Sequence, residues 1–232
     1  MLLAACDRAV PETQPTNTAE TISCTIPDDL TAASRATPPD NRPDAPTAGY
    51  VLALSWSPEY CRFREDSVRD RGQCRDNRFG LVVHGLWPQA ARGPHPRSCA
   101  PASPVPEYVL REHYCMSPSA KLMQDEWAKH GTCQWDSPDA YFDAAADLWG
   151  GLAQPDLFTL SRDDALTAGA IRAAFRQANP DVPAETIGID LNRRGWLDEI
   201  KLCMDTDFQP RACQPREYGA SDGKRASIWR GG

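Results

Sequence analysis

The stretch FGLVVHGLW, residues 79–87, sets six apolar side chains and two glycines around one histidine. Branched and aromatic residues dominate it, Gly80 opens it and Pro88 follows, so it reads as a short buried strand. YVLALSW (50–56), just after Gly49, has the same character. WLDEIKLCMD (196–205) reads as a further strand near the end of the chain.

Between these runs the period changes to that of helices. SPSAKLMQDEWAKHG (117–131) offers Ser117 as N-cap, Pro118 at the first helical position and Gly131 as terminator. SPDAYFDAAADLWGG (137–151) repeats the design with Ser137, Pro138 and Gly150. In AGAIRAAFRQANP (168–180), Ile171, Ala174, Phe175 and Ala178 recur at helical spacing, and Pro180 stops the segment. Strands toward both ends with helices between and after them give an α+β domain.

Nine cysteines without a repeated C-x-x-C indicate disulfides formed in an oxidising compartment, which places the protein outside the cytoplasm, in the periplasm or beyond. Nine is odd, so one thiol has another fate. MLLAAC (1–6) resembles the end of a bacterial lipoprotein signal, which makes Cys6 a lipid-attachment candidate and membrane anchorage an expectation; an incidental cysteine is the alternative. Residues 7–48, rich in Pro, Thr, Ala and Asp, read as a flexible tether pinned at Cys24. The domain proper is expected over 49–232. A net charge of −7 excludes a protein that coats nucleic acid through its overall field, though not one that holds RNA in a locally basic cleft.

On the 117–131 segment, Glu126 and His130 stand one helical turn apart, with Lys129 beside the histidine. Taken alone, such a group is an ion pair at a helix end, where the dipole and the Glu both favour a protonated His130. His84 at the end of an apolar strand is equally compatible with a satisfied core residue. Two histidines with a Glu and a Lys are also what metal-free RNA cleavage needs. One imidazole takes the 2′-hydroxyl proton, the other protonates the departing 5′-oxygen, and a cation stabilises the charge gathering on phosphorus.

HGLWPQ (84–89) and EWAKHGTC (126–133) together resemble the two active-site segments of the ribonuclease T2 family. The likeness extends over roughly residues 48–215 through YVLALSWSPEYC and EIKLCMD. It implies a central antiparallel sheet packed by helices and a metal-independent endoribonuclease without cofactor. The implied substrate is single-stranded RNA and not DNA, cleaved by a monomer through a 2′,3′-cyclic phosphate to 3′-phosphate ends. By position it implies His84 as general acid, His130 as general base, Glu126 and Lys129 as stabilisers of the phosphorane, and Trp87 as a substrate contact. Where many members carry a third histidine before the Glu, this chain has Asp125, which would repel phosphate unless it is neutralised or points away. His113 is a weak substitute for it, and His95 reads as plain surface, with Arg92 and Arg97 placed to meet phosphates. Trp56 and Tyr60 join Trp87 as aromatics able to stack on bases. The resemblance further implies the pairs Cys99–Cys133, Cys203–Cys213 and Cys61–Cys74, with Cys24 and Cys115 as the remaining pair. Two rival readings stand beside it. One is a zinc hydrolase using His84, Glu126, His130 and a free Cys133; the other is a catalytically silent RNA-binding relative.

Overall fold

The computed structural model describes residues 24–33 and 45–231; Cys6 and the lipid attachment expected there lie outside them. Strand β1 (Gly49–Trp56) is followed by helices α1 (Ser57–Cys61) and α2 (Arg71–Cys74), and then by strand β2 (Leu81–Gln89). Helices α3 (Glu107–His113), α4 (Ala120–Lys129), α5 (Pro138–Gly150), α6 (Leu157–Leu160) and α7 (Ala168–Ala178) come next. Strands β3 (Ile187–Leu191) and β4 (Leu197–Met204) and helix α8 (Pro215–Tyr218) complete the order. The strands form one antiparallel sheet in the order β2-β1-β4-β3. Among the described residues, no helix is long and apolar enough to cross a membrane.

The sheet order explains the sequence of β1. Val51, Leu52, Ala53 and Leu54 are all buried because this strand has a neighbour on each side and helices packed over the sheet. Leu52, Leu54, Leu86, Met123, Tyr141, Ile171, Phe175, Ile187 and Ile200 belong to one continuous apolar cluster. β2 lies at the sheet edge, which lets it run through Pro88: a residue without a backbone N–H is tolerated where no second strand asks for one. The strand therefore ends two residues beyond its expected limit. β3 is unexpected from the sequence, because five residues interrupted by Gly188 and Asp190 carry little periodic signal.

One irregularity matters more than the rest. Ala53 faces Gly85 and Leu54 faces Val83, so His84 is the extra residue of a β-bulge. A bulge bends its strand and re-aims a side chain, which here turns the imidazole toward the neighbouring strands.

Helix α4 begins later than its Ser-Pro pair suggests. Ser119 is the N-cap, its hydroxyl accepting from the Leu122 backbone N–H at 3.2 Å, while the Ser117 N–H is committed to the His113 carbonyl at 2.9 Å. The backbone of 116–117 is thus held by α3 and by β2, where the Val83 N–H bonds to the Met116 carbonyl at 2.8 Å. The expected cap of α5 is present, Ser137 accepting from the Ala140 N–H.

Disulfides join Cys61–Cys74, Cys99–Cys133 and Cys203–Cys213, the three pairs that the resemblance implies, and Cys24–Cys115, the pair that remained. Residues 24–33 lie along the domain. Leu30 is buried, the Thr25 N–H donates to Asn77 Oδ1 at 2.6 Å, and Arg111 Nη2 donates to the Asp28 carbonyl at 3.0 Å. The Cys99–Cys133 bridge clamps the loop after β2 onto the end of α4, supported by the Ser98 N–H donating to the Lys129 carbonyl at 2.8 Å.

Because that bridge closes a loop of 34 residues, replacing both cysteines by serine is expected to lower the unfolding free energy by about 3–4 kcal/mol. Urea denaturation monitored by tryptophan fluorescence measures it, and an unchanged midpoint would refute the clamp's contribution.

Candidate active site

The site is assembled around one buried carboxylate. Glu126, on the inner face of α4, lies with Oε1 3.6 Å from His84 Nε2 and Oε2 3.9 Å from His130 Nε2. Trp87 Nε1 donates to Glu126 Oε2 at 2.6 Å. The indole in turn touches both imidazoles, with centroids 5.2 Å from His84 in an edge-on contact and 5.5 Å from His130 in a stacked one. The strand and the helix meet this closely because of Gly85. A Cβ there would stand 2.1 Å from Glu126 Oε2 and 2.6 Å from Trp87 Nε1. Gly131, one residue after His130, is crowded differently: a Cβ there would fall 2.3 Å from the Trp127 ring of α4 and 3.0 Å from Tyr141 of α5. The missing side chain at Gly85 is thus a steric requirement of bringing the two motif segments together, and that at Gly131 of packing the end of α4.

The two histidines sit in different electrostatic settings. His84 hydrogen-bonds through Nδ1 to Glu199 Oε1, and Ser55 Oγ donates to the same carboxylate oxygen at 3.3 Å. Burial pulls the His84 pKa down, but the Glu199 hydrogen bond and the charges of Glu126 and Glu199 outweigh it and raise the pKa above the ordinary imidazole value. Burial would push Glu199 up; its bond to His84, the charges of His84 and Lys201 and the Ser55 hydroxyl bring it below the usual carboxylate range. His130 is only 6% exposed in its side chain, and neither ring nitrogen has a hydrogen-bond partner among the described residues. Burial, reinforced by the positive charges of Lys129, Arg97 and His84, holds its pKa well below the ordinary value. The helix end and Glu126 point to a protonated His130; the structure gives a neutral one, since desolvation exceeds both. Burial raises Glu126 above its usual range against the opposing pull of His84, the Trp87 N–H and Lys129.

His130, Trp87 and Lys129 open onto a cavity of about 270 Å³ that His95, Arg97, Lys201 and Arg216 also line. Its one carboxylate, Glu217, is engaged by both terminal nitrogens of Arg211 at 3.0 Å. The result is a concentrated positive field in an acidic chain, suited to a phosphodiester. His84 is not part of that lining. It reaches the cavity's edge through its contact with Trp87, and 31% of its side chain is open to solvent.

Other expected residues lie elsewhere. Asp125 is paired with Lys121 Nζ at 2.6 Å and is not in the cavity lining, although Lys129, one turn further along α4, is. His113 is buried against Phe142, 3.3 Å from Asp143, and stands apart from the cavity. Trp56 is a core residue whose indole N–H donates to the Trp229 carbonyl at 2.6 Å, and the Tyr60 hydroxyl donates to Asp70. His95, read as surface, lines the cavity, its Nδ1 accepting from the Ala90 N–H at 3.1 Å. Glu199, bonded to His84, and Lys201, which lines the cavity, belong to the candidate site and were not brought forward by the sequence alone. A signal exists: two charges two residues apart on a strand lie on one face, and charge on an interior strand asks for a partner. The zinc alternative fails on Cys133, whose sulfur is bonded to Cys99.

The family model for the Ribonuclease T2 family matches residues 48–213. The chain belongs to this family. It is 36% identical over 184 residues to a probable ribonuclease of Haemophilus influenzae, a match covering 74% of this chain and 63% of that protein. It is 42% identical over 99 residues to a ribonuclease of Aeromonas hydrophila, covering 43% of each. The chain thus spans less than two thirds of these ribonuclease T2 relatives. The T2 fold is shared by trichomaglin, an S-like ribonuclease, with a TM-score of 0.60 at 19% identity over 73% of this chain and 92% of that one.

For this T2 chain the two imidazoles are expected to titrate apart in proton NMR, His84 above and His130 below the ordinary histidine value. Glu199→Gln should bring the His84 pKa down. The two shifts act oppositely on stability. His84, raised on folding, stabilises fully below the unfolded pKa, and its contribution fades as pH rises through the folded one. His130, depressed on folding, costs stability as pH falls below its unfolded value. Coincident titrations would overturn this account of the site.

Proposed function

We propose that this protein is a metal-independent endoribonuclease that cleaves single-stranded RNA by transphosphorylation. The observation that carries the reading is a pair of imidazoles on one carboxylate, with one pKa raised and the other lowered, beside a basic cavity. Two titratable groups pushed apart in this way define an acid and a base at the same pH.

His130, neutral and without a hydrogen-bond partner among the described residues, takes the proton of the 2′-hydroxyl as that oxygen bonds to phosphorus. Lys129, with Arg97 and Lys201 behind it, balances the charge that collects on the phosphorane oxygens. His84, protonated and held through Nδ1 by Glu199, delivers its Nε2 proton to the 5′-oxygen as the P–O5′ bond breaks. Glu126 holds Trp87 and faces both rings, and Trp87 offers its free edge to the substrate. The products of the first step are a 2′,3′-cyclic phosphate and a free 5′-hydroxyl. In the second step the roles reverse, a water replacing the leaving oxygen to give a 3′-phosphate. DNA, lacking the 2′-hydroxyl, supplies no nucleophile. No metal or cofactor enters this scheme, and one chain contains the whole set of groups. The four disulfides favour work outside the cytoplasm.

Incubating the protein in EDTA with polyuridylate and with DNA, and identifying the end groups, tests the proposal. The expected outcome is cyclic phosphate from RNA alone, with His84→Ala and His130→Ala each slower by about 10²–10⁴-fold. The rate should follow a bell-shaped profile, its acid limb set by His130 and its alkaline limb by His84. Cleavage of DNA, or full activity in either variant, would sink it.

A further inference from the structure

The row of polar side chains that supports His84 does not end at Glu199. Ser55 on β1 pairs across the sheet with Glu199 on β4, and Glu199 pairs with Asp190 on β3, so these side chains and His84 share one face. Lys201, two residues beyond Glu199 on that face, binds Asp190. Lys201 lines the catalytic cavity, whereas Asp190 lines a second one of about 850 Å³. That second cavity lies between the β3–β4 hairpin and the loop after α8, and Arg193, Arg194, Lys224 and Arg225 converge on it. Its one carboxylate, Asp190, is the one that Lys201 engages. Two of its cations have work in the fold: Arg194 pairs with Glu59 at 3.1 Å, and Arg225 Nη2 donates to the Asp164 carbonyl at 2.6 Å. Arg193 and Lys224 are exposed, and their side chains make no ion pair or hydrogen bond with the described residues.

We propose that this second basic cavity is an anchoring site for the RNA backbone, holding phosphates of the same strand whose scissile bond lies between His84 and His130. Arg193 and Lys224, exposed cations without a side-chain partner among the described residues in a chain of net charge −7, call for an anionic ligand, and the Lys201–Asp190 pair, which sets this cavity beside the catalytic one, selects nucleic acid over an acidic protein or a lipid headgroup. From β2 to β3 the sheet spans three strand spacings, about 14 Å, so the anchor lies further from the scissile phosphate than the adjoining nucleotide reaches. It therefore acts on long substrates and not on dinucleotides. Unlike the catalytic groups, it contributes charge without reading bases.

This inference rests on the ribonuclease reading, so its test separates binding from cleavage. The full chain is titrated, by fluorescence anisotropy, with a cleavage-resistant 2′-O-methyl oligouridylate long enough to span both cavities. UpU turnover is followed in parallel. The double variant Arg193→Gln, Lys224→Gln is expected to bind the oligomer several-fold more weakly. Its plot of log affinity against log salt should be shallower by about 0.7 for each phosphate no longer neutralised, about 1.4 for the pair. UpU turnover should stay unchanged, and the charge-preserving pair Arg193→Lys, Lys224→Arg should bind the oligomer as the wild type does. Equal oligomer affinity and salt slope in the wild type and the Gln variant would overturn the anchor, as would an equal loss on UpU. Preferential binding of the wild type to phosphatidylglycerol vesicles, with no binding of the oligomer, would overturn it as well. A wild type that binds the oligomer through Arg193 and Lys224 yet turns over neither UpU nor polyuridylate would instead sink the catalytic reading.

Discussion

The buried carboxylate of Glu126 is the constraint on which the architecture turns. It faces two imidazoles and an indole N–H from a position that burial makes unfavourable for a charge, and it is kept there by the absence of a side chain at Gly85. A buried carboxylate is costly unless its lone pairs are occupied. Here Trp87 supplies a direct hydrogen bond while His84 and Lys129 supply positive charge. The sheet edge, the start of α4 and the Cys99–Cys133 clamp all serve to bring those partners within reach of one another.

Much of this was legible in the sequence because local rules governed it. The alternation and density of β1 and β2, the Ser-Pro start of α5 and the spacing within α7 all depend on neighbours a few residues away, and each element is present there, with β2 displaced by two residues. The two short motifs with their histidines were equally visible. What escaped depends on contacts between distant segments. Lys129, next to His130 in the chain, pushes it toward the neutral form, but the burial that does most of this and the charge of Arg97 come from distant segments, while the i,i+4 neighbour Glu126 argued the opposite. Glu199 is 115 residues from His84 and meets it only because β4 lies two strands over.

The case of Asp125 runs the other way. Its partner Lys121 is four residues earlier on the same helix, a spacing that local rules connect readily. A carboxylate tied back in this way has its charge offset by the Lys121 ammonium, although Lys129, which lines the cavity, stands only one turn further along the same face. The departure from the family pattern thus reads as the loss of one cation rather than the gain of a repulsive charge.

The Cys24–Cys115 bridge carries a further consequence. It ties the segment before β1 to the stretch just ahead of α4, across 91 residues. A protease that cut the backbone between Arg35 and Pro46 would release nothing: the severed amino-terminal piece would travel with the domain until a reductant freed it. Gel mobility of such a nicked protein would differ with and without thiol, because a single cut there leaves the piece that carries Cys24 covalently joined to the domain.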